Sequence, residues 1–396
     1  MLGGSSRLKF NGGLNLDFNL TPEQEMIRNM VKEFAEKELA PIADKIDKEE
    51  MYPAEAVKKM GQLNLLGMTV PPEYGGAGTD SVSYLLAVEE ISKVSASVSV
   101  VMSVNNSLVC EPLSVFGTEE QKQKFLKPLA QGAKLGVFAL TESNAGSDPA
   151  AIQTKATLDG DEYLIAGNKL FVSQGSEADT AIVFARTSKE EKRHKGISAF
   201  IIEKGTPGFS VGSLEEKLGI RGSPTAELVF EECRVPKENL LGEEGEGFKL
   251  AMKSIDYVRM GVAAQAVGIA QAALDTTIEY AKQRVQFGKP IANFQYIQFT
   301  LAELATEIEA ARLLALRAAA LKDQNKGFTK EVAMAKFFAS EVAVQTARMA
   351  VQIHGGYGYT REFPVERFLR DSLITSIYGG TSEIQRLVIA RRLLKG

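Results

Sequence analysis

The residues of this chain best suited to chemistry fall in a few short segments. Leu140-Thr141-Glu142-Ser143-Asn144-Ala145-Gly146-Ser147-Asp148 combines hydroxyls, a carboxylate and glycine. Short hydroxyl and glycine residues let backbone amides approach a bound cofactor closely, and the same composition also suits a strand-ending turn. Arg284-Val285-Gln286-Phe287-Gly288-Lys289 carries a permanently charged fork that suits a diphosphate. A helix C-terminal cation followed by a glycine cap explains the Arg and the Gly but not the Phe. Asp256 and Arg259, three apart on a predicted helix, read by default as a solvated ion pair. His194 and His354 are the only histidines, a poor basis for a His-rich metal site or a serine hydrolase. His354, followed by Gly355-Gly356, reads as a packing or turn residue.

Composition narrows the alternatives. At 396 residues the chain is long for one core, so two or three domains, or a large sheet flanked by helices, are expected. With 44% hydrophobic and 24% charged residues and no Trp, it has neither a disordered nor a fibrous composition. A net charge of -4 argues against a nucleic-acid partner, which would need clustered positive charge. Cys110 and Cys233 are too few for a disulfide framework or a zinc cluster and suggest a reducing compartment. No run of about 18 apolar residues predicts membrane insertion. Residues 1–16 lack the apolar core of a signal peptide and read as a cloning remnant, with a degraded transit peptide as the alternative. A cytoplasmic, bacterial-type location is expected in preference to the mitochondrial matrix.

Three stretches of different periodicity must position these residues. Thr21-Pro22-Glu23-Gln24 opens a helix with an N-cap, a Pro at the first helical position and a Gln three residues after the cap. Amphipathic stretches continue to about Leu129, interrupted by Val70-Pro71-Pro72-Glu73-Tyr74-Gly75-Gly76. From Gly136 to about Leu241 the pattern becomes short β-type runs: 163–165, 170–172, 181–184, 197–202 and 227–230, separated by turn clusters. From about Gly245 long Ala- and Leu-rich helices return, broken near Gly288-Lys289-Pro290, Lys326-Gly327 and His354-Gly355-Gly356. No βαβ alternation and no Gly-x-Gly-x-x-Gly after a strand supports a Rossmann chain.

The segment Ile377-Tyr378-Gly379-Gly380-Thr381-Ser382-Glu383-Ile384-Gln385-Arg386 resembles the C-terminal motif of the acyl-CoA dehydrogenases, usually Tyr-Glu-Gly-Thr, with Gly379 at the place of the family's glutamate base. Residues 140–148 resemble a second family segment, Phe171-Val172-Ser173 a third, Arg284 to Gly288 a fourth and Gln352 to Tyr359 a fifth. They recur in order, and the resemblance covers nearly the whole chain from residue 17. It implies an α+β fold of N-terminal helical domain (17–130), middle β-barrel-like domain (131–242) and C-terminal helical bundle (243–396). It also implies FAD as cofactor, held by Phe138, Leu140, Thr141, Ser147, Phe171, Val172, Ser173, Arg284, Phe287, Gln295, Gln352, Gly355, Gly356, Thr381 and Glu383. Acyl-CoA would meet Ser147, Asp256, Arg259, Tyr378, Gly380 and Arg391. Within the family the chain looks closest to the short-chain, butyryl-type members. That likeness implies a compact acyl group, a homotetramer built as a dimer of dimers, and electron-transferring flavoprotein as electron acceptor.

Dehydrogenation of a saturated thioester needs a polarised carbonyl, a base for the α-proton and a hydride acceptor. Gly379 keeps the backbone amide that the family uses on the carbonyl, but has no side chain to take the proton. Some members place a glutamate immediately before the equivalent of Arg259, and here that residue is Val258. Three readings remain open. The chain is an engineered inactive variant; or it oxidises an alicyclic enoyl thioester such as cyclohex-1-ene-1-carboxyl-CoA by 1,4-elimination, with a base from the helix 101–108, which offers Asn105 or Asn106; or it binds FAD and acyl-CoA without turnover. A purely helical interaction protein leaves the ordered cofactor motifs unexplained.

Overall fold

The computed structural model describes residues 19–190 and 193–394, so the expectations for residues 1–16 lie outside the described part. The predicted first helix spans Pro22–Phe34. Its capping box is reciprocal: Thr21 Oγ1 accepts from Gln24 N at 3.2 Å and Gln24 Oε1 accepts from Thr21 N at 3.0 Å. Helix Ser81–Val94 is capped by Asp80, whose Oδ1 accepts from Ser83 N at 2.7 Å. Ser95 ends that helix and caps the next, Ala96–Ser103. That helix continues through a π-helical stretch, Val104–Cys110, into Glu111–Phe116. The run Ala96–Phe116 is long and apolar enough to cross a membrane by composition, although no such segment is expected from the sequence. Here 78% of its most apolar window is buried inside the protein, where it forms a core helix.

Helices return at Gly247–Gln283 and continue as Gln295–Asp323, Thr329–His354, Val365–Leu373 and Ser382–Leu394. The first three breaks fall at the predicted places, and a fourth, between Leu373 and Ser382, was not expected. The long helix Gly247–Gln283 is sandwiched between Ser81–Val94 and Thr329–His354, with Leu85, Val88, Met260, Ala263, Ala335 and Ala339 among the residues of their shared core. Alanines dominate the contact, which lets the helices approach closely, and apolar burial of this kind stabilises by roughly 25 cal/mol per Å².

Between the helical parts lies one eight-stranded mixed sheet. Its strands are β1 Gly136–Ala139, β2 Lys155–Asp159, β3 Glu162–Ser173, β4 Thr180–Arg186, β5 Ile197–Glu203, β6 Phe209–Leu214, β7 Thr225–Pro236 and β8 Leu240–Leu241. The hydrogen-bonded order is β6-β7-β3-β2-β4-β5-β8, with β1 paired in parallel to β4. Alternation along β4 divides its neighbours. Ile182 and Phe184 pack with Leu113, Phe125 and Leu129 of the N-terminal helices, whereas Ala181 and Val183 join Ile165, Phe200 and Phe230 on the other face. The runs 163–165 and 170–172, expected as two strands, are one 12-residue strand, β3. Irregularities between Ile165 and Gly167 and between Lys169 and Val172 break its register with β7, which is why the sequence reads as two short pieces.

Candidate active site

The turn Tyr378–Thr381 precedes the last helix, and Thr381 Oγ1 caps that helix by accepting from Ile384 N at 3.3 Å. The Tyr378 hydroxyl donates to Gln265 Oε1. Gln265 is itself buried and donates through Nε2 to Ala96 O at 3.0 Å and Ser99 Oγ at 3.1 Å, which ties the turn to the N-terminal helices. Burial holds the Tyr378 phenol above its usual range, so it stays a neutral donor. Gly379 and Gly380 both have positive φ, +64° and +91°, a pair of conformations that glycine adopts without steric cost.

Three donors hold the two glycine carbonyls. Gly379 O accepts from Arg259 Nε at 3.1 Å and Gln385 Nε2 at 3.2 Å. Gly380 O accepts from Gln385 Nε2 at 2.7 Å and Lys336 Nζ at 2.9 Å. The N–H groups of Gly379, Gly380 and Thr381 donate to no acceptor among the described residues. Three unused backbone donors beside the start of a helix can polarise a carbonyl or hold an anion. A Cβ built on Gly379 would lie 3.7 Å from Val262 Cγ2 and 3.9 Å from Val258 Cγ1, ordinary contacts with an apolar wall.

The pair Asp256–Arg259, read from spacing as solvated, is instead enclosed, with side-chain exposures of 16% and 8%. Asp256 Oδ1 takes Arg259 at 2.8 Å and Oδ2 takes the Thr329 hydroxyl at 2.7 Å, so both carboxylate oxygens serve to aim Arg259 at the turn. Asn106 needs a correction. Its Oδ1 accepts from Met68 N at 2.8 Å, and its Nδ2 donates to Leu65 O at 2.8 Å and Met102 O at 2.9 Å. Asn105 is engaged in the same way by Leu66 O, Leu129 O and Gly136 N. Both amides are buried structural ties from this helix to the turn at residues 65–68, and for Asn105 also to Leu129 and β1; a neutral amide engaged in this way is not a base.

The predicted flavin-facing residues gather at the end of β1 and in β3. Phe138 rests on Phe184, with ring centroids 4.7 Å apart, and Leu140 is buried. Leu170 N donates to Thr141 O at 2.9 Å, fixing the segment to β3. Beneath it lies a buried ion pair: Lys169 Nζ donates to Glu142 Oε1 at 2.6 Å and to Leu140 O at 3.2 Å. Glu142 also accepts from Gln153 N and Thr154 N at 2.5 and 3.0 Å. Burial pushes Lys169 down to about 8 against the pull of Glu142. Phe171 sits in the irregular part of β3 at φ +55°, which turns its ring out of the sheet and leaves it 61% exposed. Val172 points back into the core, Ser173 lies half-buried at the end of β3, and Ser147 lies on the surface.

Elsewhere, Arg284 caps the long helix with its guanidinium 5.6 Å from the Tyr357 ring centroid. A two-stranded hairpin, Val285–Gln286 with Lys289–Pro290, turns at Phe287, which is 93% exposed. Beside Arg284 an open groove of about 640 Å³ is lined by Glu279, Tyr280, Gln283, Tyr357 and Phe363. His354 is buried and stacked on Tyr280 at 4.1 Å, a packing residue as read from the sequence. Gln295, Gln352, Gly355, Gly356, Glu383 and Arg391 are exposed. Among the described residues no hydrogen bond or ring contact joins Arg284 or Gln352 to the cluster around β3. The chain thus brings Asp256, Arg259, Tyr378, Gly379 and Gly380 together and leaves the other groups apart.

Sequence reasoning missed Lys336, Gln385, Gln265 and the Glu142–Lys169 pair. Lys336 had a signal: it lies on the stripe Val332, Lys336, Ala339, Ala343 of its helix, where only apolar residues are expected, and it is fully buried. Lys169 likewise falls in phase with the inward Tyr163 and Ile165 of β3.

Comparison with known proteins agrees with this arrangement. The N-terminal, middle and C-terminal domains of acyl-CoA dehydrogenases match residues 21–133, 137–233 and 245–394. The short-chain specific acyl-CoA dehydrogenase of Clostridium acetobutylicum is 52% identical over 380 residues, covering 96% of this chain and 100% of that protein. Butyryl-CoA dehydrogenase from Megasphaera elsdenii superposes with a TM-score of 0.94 at 49% identity, covering 96% of this chain and all of that one. A chain in the structure of the electron transferring flavoprotein of Acidaminococcus fermentans gives 0.95 at 52% identity, covering 96% of this chain and all of its own length. Matched along all three parts and about half identical to such relatives over nearly its full length, the chain belongs to the acyl-CoA dehydrogenase family, FAD-dependent oxidoreductases acting on CH–CH bonds.

Proposed function

We propose that this protein binds a short or compact acyl-CoA thioester at the Tyr378–Thr381 turn, as a short-chain-type acyl-CoA dehydrogenase whose usual α-proton base is missing. The observation that carries this reading is the anchored turn itself. Its carbonyls are held by Arg259, Lys336 and Gln385, while the N–H of Gly379 has no acceptor among the described residues and can donate to a thioester carbonyl. The wall facing position 379, Val258 and Val262, is apolar and supplies no carboxylate.

The residues present fit FAD. Phe171, turned out of the sheet, and Phe138, Leu140 and Thr141 offer an apolar wall with a hydroxyl edge, and Val172 and Ser173 continue it. Arg284, with no carboxylate partner among the described residues, suits the pyrophosphate; Phe287, Gln295, Gln352, Gly355 and Gly356, with Thr381 and Glu383 at the start of the last helix, would complete the site. When bound, FAD supplies the hydride acceptor. The protein's part is to fix the carbonyl, exclude water and remove the α-proton, and only the last function lacks a residue. Ser147, Asp256 and Arg391 would flank the CoA, with Asp256 acting through Arg259.

Electron-transferring flavoprotein is the electron acceptor in this reading, supported by the family relationship. The assembly is a homotetramer, supported by Tyr296, Phe299, Leu313 and Phe287, large apolar side chains that a single chain leaves exposed. Anaerobic mixing with butyryl-CoA and, in parallel, with cyclohex-1-ene-1-carboxyl-CoA tests the function by bleaching of the oxidised flavin. Slow or absent bleaching with butyryl-CoA alongside a spectral shift on binding is the expected result. Fast bleaching by the cyclic thioester alone would move the chain to 1,4-elimination, and fast bleaching by butyryl-CoA would reveal a base elsewhere.

A further inference from the structure

Lys336 is one of the two lysines among the largest fully buried side chains of the protein, and its ammonium ends against the turn that the proposed function assigns to the thioester. The peptide between Gly379 and Gly380 is fixed through its carbonyl by Arg259 and Gln385, and the next peptide through its carbonyl by Lys336 and Gln385. Because a peptide is planar, holding the C=O on one side aims the following N–H to the other. On the N-terminal side of the two glycines, Tyr378 is anchored through its hydroxyl to Gln265. The amide of Gly379 therefore lies between two anchored points. Two successive glycines give the segment the greatest backbone freedom available, so its geometry depends on these external holds more than a substituted turn would.

We infer that Lys336 is a positioning residue for thioester binding: through the Gly380 carbonyl it holds the Gly379–Gly380 turn so that the amides of residues 379–381 face the ligand. This deepens the proposed function and rests on it. The groups facing Lys336 are Arg259 on the long helix, Glu341 on its own helix and Glu383 on the last helix. Burial, and then the charge of Arg259, push the Lys336 ammonium down to about 7 against the opposing pull of Glu341 and Glu383. A charged donor holds a carbonyl more strongly than a neutral amine. The hold is therefore complete below neutral pH and weakens as Lys336 loses its proton above it.

The test is the affinity of the FAD-loaded protein for crotonyl-CoA, already unsaturated at the α,β-bond, and for free CoA, both titrated from pH 6 to pH 8. Wild type should bind crotonyl-CoA about fivefold more weakly at pH 8 than at pH 6. Lys336→Met should bind it about tenfold more weakly at pH 6, show no further loss at pH 8, and keep FAD and its affinity for free CoA. A flat wild-type profile overturns the inference whether or not the variant folds. So does a Lys336→Met protein that matches wild type at pH 6, or one that loses free CoA in equal measure, which would make Lys336 a general structural residue. A wild type that binds neither FAD nor any CoA ester removes the proposed function, and this inference with it, a result separate from any effect of Lys336.

Discussion

Restoring a carboxylate at position 379 is the sharpest perturbation the structure offers. In Gly379→Glu the new Cβ meets only Val262 Cγ2 at 3.7 Å and Val258 Cγ1 at 3.9 Å, so the Cβ itself displaces no neighbour. The backbone stands at φ +64°, which costs a non-glycine residue about 1–2 kcal/mol. Replacing glycine also removes unfolded-state freedom worth about 0.4–1 kcal/mol, so the net loss of stability is about 1 kcal/mol. On the catalytic side a positioned base contributes roughly 10²- to 10⁴-fold, equivalent to about 3–5 kcal/mol of barrier. Anaerobic stopped-flow bleaching of the flavin by butyryl-CoA should therefore accelerate by at least about 100-fold, at little cost in melting temperature. Gly379→Gln, equal in shape but unable to accept the proton, should show no gain. If Gly379→Glu retains FAD, binds butyryl-CoA and still bleaches at the wild-type rate, the missing carboxylate is not what limits this protein and the reasoning fails.

Other outcomes follow from the same geometry. Tyr378→Phe leaves the buried Gln265 Oε1 without its donor, and should destabilise by about 1–3 kcal/mol and weaken acyl-CoA binding, as read by thermal melting and titration calorimetry. Lys169→Met strands the buried Glu142 carboxylate beneath the Leu140–Thr141 segment; a loss of about 3–5 kcal/mol and release of FAD on purification are expected, and an FAD-replete variant of wild-type stability would refute the assignment. Asp371 is fully buried, and desolvation pushes its carboxyl up to about 6 although Ile220 N donates to it at 2.6 Å. Because the folded value is raised, its stabilising contribution is present below about pH 4 and is lost as pH rises to about 6. Asp371→Asn, which keeps an oxygen for Ile220 N, should remove that slope and gain on the order of 3 kcal/mol at pH 7 relative to acid, measured by urea denaturation across pH 4–7.

What the sequence alone determined was the order of elements and the family. The capping box at Thr21, the short, largely apolar runs of β4 and β5, and the helix breaks at Gly288, Gly327 and Gly355 are local features, and local backbone preference is written in neighbouring residues. The ordered motifs from Leu140 to Thr381 named the family for the same reason, since each is a short contiguous segment. That position 379 carries a glycine was equally legible. What only the tertiary structure decided was which side chains meet across distance. Asp256 and Arg259 lie three apart in the sequence, and nothing in that spacing reveals that Thr329 and the Gly379 carbonyl enclose them. Asn106 looked free on its helix until Leu65, Met68 and Met102 were seen to use its whole amide. Phe171 was legible as an aromatic in a strand, but its outward turn depends on a register irregularity against β7. The apolar stripe around Lys336 marks it as buried, but its partner and that of Gln385 are decided only where two helices converge on one turn, because hydrogen bonding to a backbone carbonyl depends on approach in space.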